Sequence, residues 1–230
     1  MTNFFQVKKK SKLSNARLGL INTSHGKINT PSFIFCGTKA TVKSVLPSQL
    51  KLARTQIILS NTYHLMLQPG PEVISKVGGL QSFTDWNGPM MTDSGGYQIF
   101  SLGYGSVSEE IKGKNNNAKR KSLIKITEDG ASFRNYINGD KVFLSPERSI
   151  ELQRDFGADL IFVLDECTPF NVSKKYTEKS MYMSHRWAER CINSFDSKFK
   201  KYNSTFGSSG KQSLYGLSLI HISEPTRQWQ

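Results

Sequence analysis

Three short runs of this sequence are apolar on both faces, and each of them ends in a cluster of polar residues. Runs of this length that are bounded by turn residues are typical of β-strands. With one further run added, we predict strands at Ser32–Phe35, Gln56–Ser60, Pro89–Thr92 and Leu160–Leu164. Strands without a polar face are typical of parallel sheets that helices cover on both sides. The sequence therefore predicts a parallel α/β fold, either doubly wound or a barrel.

Two helices and an antiparallel ribbon are also predicted. Residues 145–156 begin with Ser-Pro-Glu, which supplies an N-cap, a proline and a first-turn acid, and Gly157 follows as a stop signal. A second helix is predicted to begin near Thr177, where apolar residues recur at helical spacing. Asp-Gly and Asn-Gly pairs indicate two hairpin turns within 123–144, so this segment is predicted to be a β-ribbon inserted in the α/β alternation.

The charge of the chain is strongly positive and unevenly distributed. The formal net charge is +13, and residues 1–71 contain ten Lys or Arg before the first acid, Glu72. Residues 112–125 add six more without an acid. Such a distribution favours binding to the phosphates of a nucleic acid. The alternative is a lysine-rich solvated surface, because 22 of the 31 cations are Lys.

The sequence also limits location and metal chemistry. It contains no apolar run of about 18 residues, as a membrane helix requires, and no signal peptide, so we expect a soluble cytoplasmic protein. Three cysteines at wide spacing, Cys36, Cys167 and Cys191, form neither a disulfide framework nor a metal-binding pair. The four histidines are scattered singly, so no metal site is predicted within this chain.

The polar clusters at the strand ends are the candidate site. They begin at Asn61, Asp93 and Asp165, directly after the three apolar strands. The carboxyl ends of parallel strands share one face of a sheet or barrel, and ligands bind at that face. Two carboxylates there are suited to general acid/base catalysis or to recognition of the edge of a base. The alternative for Asp93 or Asp165 is an N-cap of the following helix.

The turn that follows Asp93 favours a ligand as well. Gly95 and Gly96 would allow a ligand to approach the backbone, and Tyr97 offers a ring on which a heterocycle can stack, or simply a packing residue. The tetrapeptide at 93–96, Asp-Ser-Gly-Gly, also surrounds the nucleophilic serine of trypsin-like proteases. That all-β fold is excluded because helices are predicted here and no His-Asp context lies upstream.

Four motifs together resemble the queuine tRNA-ribosyltransferase (tRNA-guanine transglycosylase) family, in its bacterial form. They are NTYHL at 61–65, DSGGYQ at 93–98, LSPERS at 144–149 and DECTP at 165–169. The resemblance implies an elaborated (β/α)8 TIM-barrel fold with a zinc-binding subdomain late in the chain. It also implies exchange of guanine, at the wobble position of tRNAs with a GUN anticodon, for the queuosine precursor preQ1.

The resemblance implies a role for each site residue. The implied substrate-binding residues are Asn61, Asp93, Ser94, Gly95, Gly96, Tyr97, Asp165 and Cys167. Asp93 resembles the proton acceptor, and the ring of Tyr97 stacks on the purine. Asp165 accepts hydrogen bonds from the N1–H and amine side of the base, Cys167 lies in the pocket wall, and Asn61 contacts the ribose.

After Leu217 the sequence no longer resembles the family. We therefore expect residues 1–217 to be the N-terminal part of a truncated barrel and 218–230 to be a non-native tail. The nucleophilic aspartate and the zinc ligands are expected in segments absent from this chain, so zinc is expected only for the full-length protein, and this chain is expected to be inactive alone. The resemblance also implies a family-type homodimer for the complete protein. The alternative is a non-catalytic RNA-binding or partner subunit, but Asp93 and Asp165 favour the enzyme.

Overall fold

The structure, a computed structural model, describes residues 4–103, 124–168, 172–197 and 212–216. The residues expected to be a non-native tail, 218–230, lie outside this part. The described residues form two compact units. Unit 1 comprises 4–93, 152–161, 197 and 212–214, whereas unit 2 comprises 94–103, 124–151, 162–168, 172–196 and 215–216.

The described residues form eleven strands and seven helices. The elements up to residue 93 are β1 Phe5–Lys10, β2 Arg17–Thr23, β3 Gly26–Thr30, β4 Phe35–Cys36, α1 Pro47–Leu52, β5 Ile58–Ser60, α2 Thr62–Leu67, α3 Pro71–Lys76, α4 Leu80–Thr84 and β6 Met90–Thr92. The later elements are α5 Gly96–Gly103, β7 Lys125–Thr127, β8 Gly130–Arg134, β9 Lys141–Leu144, α6 Pro146–Phe156, β10 Leu160–Phe162, α7 Lys174–Ser197 and β11 Ser213–Tyr215.

A five-stranded sheet in the order β11-β10-β6-β5-β4 contains a strand that overlaps each of the four predicted ones. The pairs β4/β5, β5/β6 and β6/β10 are parallel. Every residue of β6 is buried, as expected for a strand that is covered on both faces. The prediction of a parallel α/β fold is confirmed. Closure into a TIM barrel remains a prediction.

The first predicted strand is misplaced. We expected Ser32–Phe35, but the strand is Phe35–Cys36, because pairing with β5 begins only at Phe35, opposite Ile58. Phe33 is 75% exposed and belongs to no strand. An apolar composition therefore predicted a strand that begins three residues too early, since a strand also needs a hydrogen-bonded neighbour.

Before this sheet lies an antiparallel sheet, in the order β1-β2-β3, that was not predicted. Its strands carry several lysines, which we interpreted only as evidence for phosphate binding or for a solvated surface, and not as part of a sheet. Ile28 on β3 is 2% exposed and anchors the sheet in the core.

A buried carboxylate at the start of β10 fixes the turn between β2 and β3. Asp159 is 3% exposed, and its Oδ1 lies 2.9 Å from Nδ1 of His25 in that turn. Its Oδ2 accepts hydrogen bonds from the side chain of Gln81, at 3.2 Å, and from the backbone N–H of Met90, at 3.0 Å. One side chain of unit 1 therefore connects the start of β10 to three earlier segments of the chain.

The helix and ribbon predictions are confirmed. Strands β7, β8 and β9 form an antiparallel sheet within the predicted 123–144. Helix α6 occupies Pro146–Phe156 and buries the side chain of Ile150 completely. Helix α7 begins three residues before Thr177, at Lys174, and the Oγ of Ser173 accepts the N–H of Tyr176 as a cap. Within the described part of the chain, no helix is long and apolar enough to cross a membrane.

Candidate active site

The carboxylate of Asp93 is held at the end of β6 by the segment that follows β5. Because Ser60 pairs with Thr92 in parallel register, Asn61 and Asp93 emerge side by side. The amide Nδ2 of Asn61 donates to Oδ2 of Asp93 at 2.5 Å. The backbone N–H of Thr62 donates to Oδ1 at 2.8 Å, and its hydroxyl donates to the carbonyl of Asp93 at 2.6 Å. Both carboxylate oxygens therefore have a fixed orientation.

The N-cap alternative does not describe these carboxylates. Asp93 contacts Thr62, the first residue of α2, which precedes it in the sequence. At the start of α5, Oγ of Ser94 accepts the N–H of Gly96 at 3.3 Å. Asp165 lies nine residues before Lys174, where α7 begins, so it cannot cap that helix.

Asn61 is itself held from the strand on its other side. Its Oδ1 lies 3.8 Å from Sγ of Cys36, and its backbone N–H donates to the carbonyl of Thr38 at 3.2 Å. Asn61 is 7% exposed, so its amide has little freedom to leave Asp93. Neither Cys36, at the end of β4, nor Thr38, in the turn after it, was assigned to the site from the sequence, because neither belongs to any of the recognised motifs.

His64 on α2 shares this environment. Burial lowers the pKa of His64, the positive charge of Lys39 lowers it further, and Asp93 opposes both effects. The imidazole is therefore neutral at pH 7. Neither Thr62 nor His64 was assigned a role from the sequence, although the polar run directly after an apolar strand was a signal for both.

In unit 2, the turn after Asp93 is fixed by its own contacts. Ser94 is 4% exposed, and its carbonyl accepts the hydroxyl of Ser149 at 2.8 Å. Gly95 has a φ of +88°, in the left-handed region that favours glycine. Tyr97 is 51% exposed, so part of its ring is accessible to a stacking partner.

Asp165 lies against this turn. It is 8% exposed, and a Cβ added to Gly96 would lie 2.5 Å from its carbonyl oxygen and 3.3 Å from its Oδ1. Sγ of Cys167 lies 3.9 Å from Oδ2 of Asp165. Unit 2 therefore brings together Gly96, Asp165 and Cys167, as predicted from the ends of two different strands.

The next residue, Glu166, is a buried carboxylate with a structural role. It is 5% exposed and accepts the hydroxyl of Tyr176 at 2.5 Å. Its backbone N–H donates to Oγ of Ser184 on α7 at 3.0 Å. These contacts fix the segment that carries Asp165 against α7.

A small cavity lies beside Asp165 within unit 2. It is lined by Gly96, Ile99, Leu164, Asp165, Cys167 and Trp187, among others. Its volume is about 10 Å³, which suffices for one water molecule at most. A purine therefore cannot enter this cavity unless the lining residues move.

The predicted site residues fall into two groups. Asn61 and Asp93 belong to unit 1 and are hydrogen-bonded to each other. Ser94, Gly95, Gly96, Tyr97, Asp165 and Cys167 belong to unit 2.

The zinc that the resemblance implies does not fit the residues described. Within 4–103, 124–168, 172–197 and 212–216, no three His, Cys, Asp or Glu side chains lie close enough together to hold a metal ion.

Comparisons with known proteins support the resemblance. A family model described as queuine tRNA-ribosyltransferase matches residues 11–216. A queuine tRNA-ribosyltransferase of Roseiflexus sp. (strain RS-1) is 45% identical over 193 residues, which cover 84% of this chain and 48% of that protein. A protein of the same name from Staphylococcus haemolyticus (strain JCSC1435) is 47% identical over 185 residues, which cover 80% of this chain and 44% of that protein. The chain spans about half the length of the curated relatives it matches.

Proposed function

The chain belongs to the queuine tRNA-ribosyltransferase family, and we propose that it carries the base-recognition and proton-transfer residues of a tRNA-guanine transglycosylase. The reaction exchanges guanine for preQ1 at the wobble position of tRNAs with a GUN anticodon. The observation that carries the proposal is the oriented carboxylate of Asp93, with one N–H donor on each oxygen.

Asp93 acts as the proton acceptor. The amide of Asn61 and the backbone N–H of Thr62 hold the two oxygens of this carboxylate in a fixed orientation, and a carboxylate is an acceptor that can take a proton. The incoming base loses the proton of its glycosidic nitrogen to Asp93. The electron pair left on that nitrogen forms the new bond to the ribose carbon. The bond from this carbon to the nucleophilic carboxylate breaks at the same time, and the carboxylate leaves with that bond's electrons.

Asp165 and Tyr97 recognise the base. The target base must leave its stack before a protein can bind its Watson–Crick edge. The two oxygens of Asp165 accept the N1–H and the amine of a guanine-like base, whereas a base without these donors forms neither hydrogen bond with this buried carboxylate. The ring of Tyr97 stacks on the purine face.

Retention at the ribose carbon requires a second carboxylate as nucleophile. We assign no residue of this chain to that role.

The test of Asp93 uses a chimera, because the chain spans about half of its relatives. Residues 11–216 replace the matching segment of the Staphylococcus haemolyticus relative, and incorporation of labelled guanine and of preQ1 into tRNA is measured. Asp93→Asn should lower kcat by about 10²-fold or more while tRNA binding is retained. The matched control is Asp85→Asn, which neutralises an exposed carboxylate at the end of α4. Equal turnover by the two variants would remove Asp93 from the mechanism.

The test of Asp165 measures selectivity. In the same chimera, Asp165→Asn should weaken binding of preQ1 and guanine and reduce their advantage over adenine, because the amide replaces one acceptor with a donor. Asp140→Asn, on the loop between β8 and β9, is the control. Unchanged selectivity would contradict the assignment of Asp165.

A further inference from the structure

An open groove lies at the hairpin that joins β1 to β2 in unit 1. We call it the hairpin groove, and its lining includes Val7, Lys10, Ser11, Ser14, Asn15 and Arg17. Its volume is about 620 Å³, which corresponds to roughly twenty water molecules at about 30 Å³ each. It shares no residue with the site described above, and its polar lining is basic, hydroxyl or amide.

A β-bulge in β1 determines which of its side chains line the groove. The register of β1 on β2 shifts between Val7, which pairs with Gly19, and Lys9, which pairs with Leu18. In a regular strand, residues three apart point to opposite faces. The extra residue at position 8 reverses this alternation, so Lys10 lines the same groove as Val7. The bulge therefore directs a cation into the groove.

The two cations of the groove lie directly opposite each other on adjacent strands. Lys10 and Arg17 are cross-strand partners in register. Like charges directly opposite each other on an antiparallel pair are destabilising. Among the residues that the structure describes, neither has an acidic partner, and the sequence contains no acid before Glu72. An anion between them would remove the repulsion.

The hydroxyl groups of the groove are arranged as donors. Oγ of Ser11 accepts the N–H of Leu13 at 3.1 Å, and Oγ of Ser14 accepts the N–H of Ala16 at 3.3 Å. Because each hydroxyl uses its oxygen for the backbone, its own O–H proton remains for another acceptor. Cations beside hydroxyl donors match the oxygens of a phosphate.

We propose that the hairpin groove binds the phosphodiester backbone of the tRNA, separately from the residues that recognise the base. This inference rests on the proposed function, which supplies tRNA as the substrate. The groove is larger than one phosphate needs, and the exposed lysines at positions 9, 12 and 27 extend the positive surface beyond it. A polyanion fits this arrangement better than a single free anion.

The test measures binding of fluorescently labelled tRNA to the full chain by anisotropy over a series of salt concentrations. In the double variant Lys10→Gln/Arg17→Gln, affinity at low salt should fall by about tenfold or more, and the slope of log K against log salt should decrease by about 2. The matched control, Lys76→Gln/Lys141→Gln, removes the same charge from two exposed lysines that do not line the groove. It should change binding much less.

A second variant keeps the two cations. Ser14→Glu places a carboxylate in the groove and should also weaken tRNA binding by about tenfold, since it pairs with the cations and repels phosphate. Folding of each variant is verified by thermal unfolding. The double variant should unfold no earlier than the parent, because a like-charge pair is removed.

The outcomes separate this inference from the proposed function. Unchanged tRNA binding by the groove variants, an equal loss in the control, or no tRNA binding by the parent chain would overturn the groove. Binding to vesicles of anionic lipid with no binding to tRNA would overturn it as well. Failure of the parent chimera to incorporate labelled guanine would instead count against the proposed function, because anisotropy does not depend on base exchange.

Discussion

Gly96 lies so close to Asp165 that no side chain fits between them. A Cβ on Gly96 would be 2.5 Å from the carbonyl oxygen of Asp165, closer than real Cβ contacts come. Backbone atoms cannot turn aside as a flexible side chain can. The first residue of α5 and the segment after β10 therefore determine each other's position.

Gly96→Ala should accordingly displace Asp165 and destabilise the fold by about 1–3 kcal/mol, as overpacking of a filled space does. In the chimera, Gly96→Ala should weaken binding of preQ1 more than a Gly→Ala substitution at an unconstrained position does. The control is Gly216→Ala, because a Cβ there would meet no atom within 4 Å. Denaturant unfolding and base-binding titrations measure the two effects. Equal behaviour of the two variants would contradict the close approach.

Lys39→Gln should raise the pKa of His64, because one of the two causes that lower it is removed while burial remains. NMR titration of the imidazole measures this, and Lys43→Gln is the control. In the parent chain, the unfolded state binds the proton more tightly than the folded state. Stability should therefore decrease as pH falls from about 6.5 toward the lowered folded pKa. His64→Gln should remove this part of the pH dependence, and an unaltered profile would contradict it.

The thiols should react in a defined order. Burial raises the pKa of Cys191 to about 12, and the side chain is completely buried, so no thiolate is available to an alkylating reagent at pH 8. Cys36 is exposed. Iodoacetamide should therefore modify Cys36 in the native chain and Cys191 only in denaturant, as peptide mass spectrometry would show. Cys36→Ser provides the blank, and rapid native labelling of Cys191 would contradict its burial.

Arg190 joins α7 to the start of α6 and to the turn between β7 and β8. It donates to both carboxylate oxygens of Glu147, at 2.7 and 2.8 Å, and to the carbonyls of Glu128 and Asp129. Arg190→Ala should destabilise the chain by about 1–2 kcal/mol, a modest value because the pair is more than a third exposed on the Glu147 side and screened by solvent. Arg148→Ala, which breaks an i,i+3 pair on α6, should cost less.

The pH dependence of this loss provides a second measurement. Burial alone would raise the pKa of Glu147, but hydrogen bonds from Arg190, from its own backbone and from Ser145 lower it. The stabilisation is therefore present above the unfolded pKa and is lost as pH falls through the lowered folded value. The difference between parent and Arg190→Ala should be larger at pH 7 than at pH 3. A difference that does not depend on pH would assign it to packing alone.

The parts of the fold that depend on local pattern were predictable from the sequence. Proline and acid at the start of α6, the Gly-containing turns of the ribbon and the two-sided apolar strands each have a local cause. The β1-β2-β3 sheet was missed because its main core contact, Ile28, is one residue among lysines and polar residues, and its burial depends on distant segments. Strands and helices are predicted from apolar residues that recur at a regular spacing, and a single apolar residue provides no such spacing.

In the candidate site too, features with a local sequence cause were predicted and features that depend on distant segments were not. Asn61, Asp93 and Asp165 were found because a polar residue directly after a buried strand is unusual. The backbone N–H of Thr62, which binds Asp93, has no sequence signature, since every residue but proline has one. The partners Cys36 and Thr38 follow only from the order β4-β5-β6 in the sheet.

The hydrogen bonds of Asp159 also constrain how the chain is made. His25 and Asp159 are 134 residues apart, and a ribosome adds about 5–20 residues per second, so about 7–27 s separate their synthesis. Nascent chains arrested before residue 159 should exchange the amide hydrogen of His25 faster than longer ones do. The hairpins of the N-terminal sheet require only contacts between neighbouring strands, whereas the hydrogen bonds that fix the turn at His25 require a carboxylate that is synthesised much later.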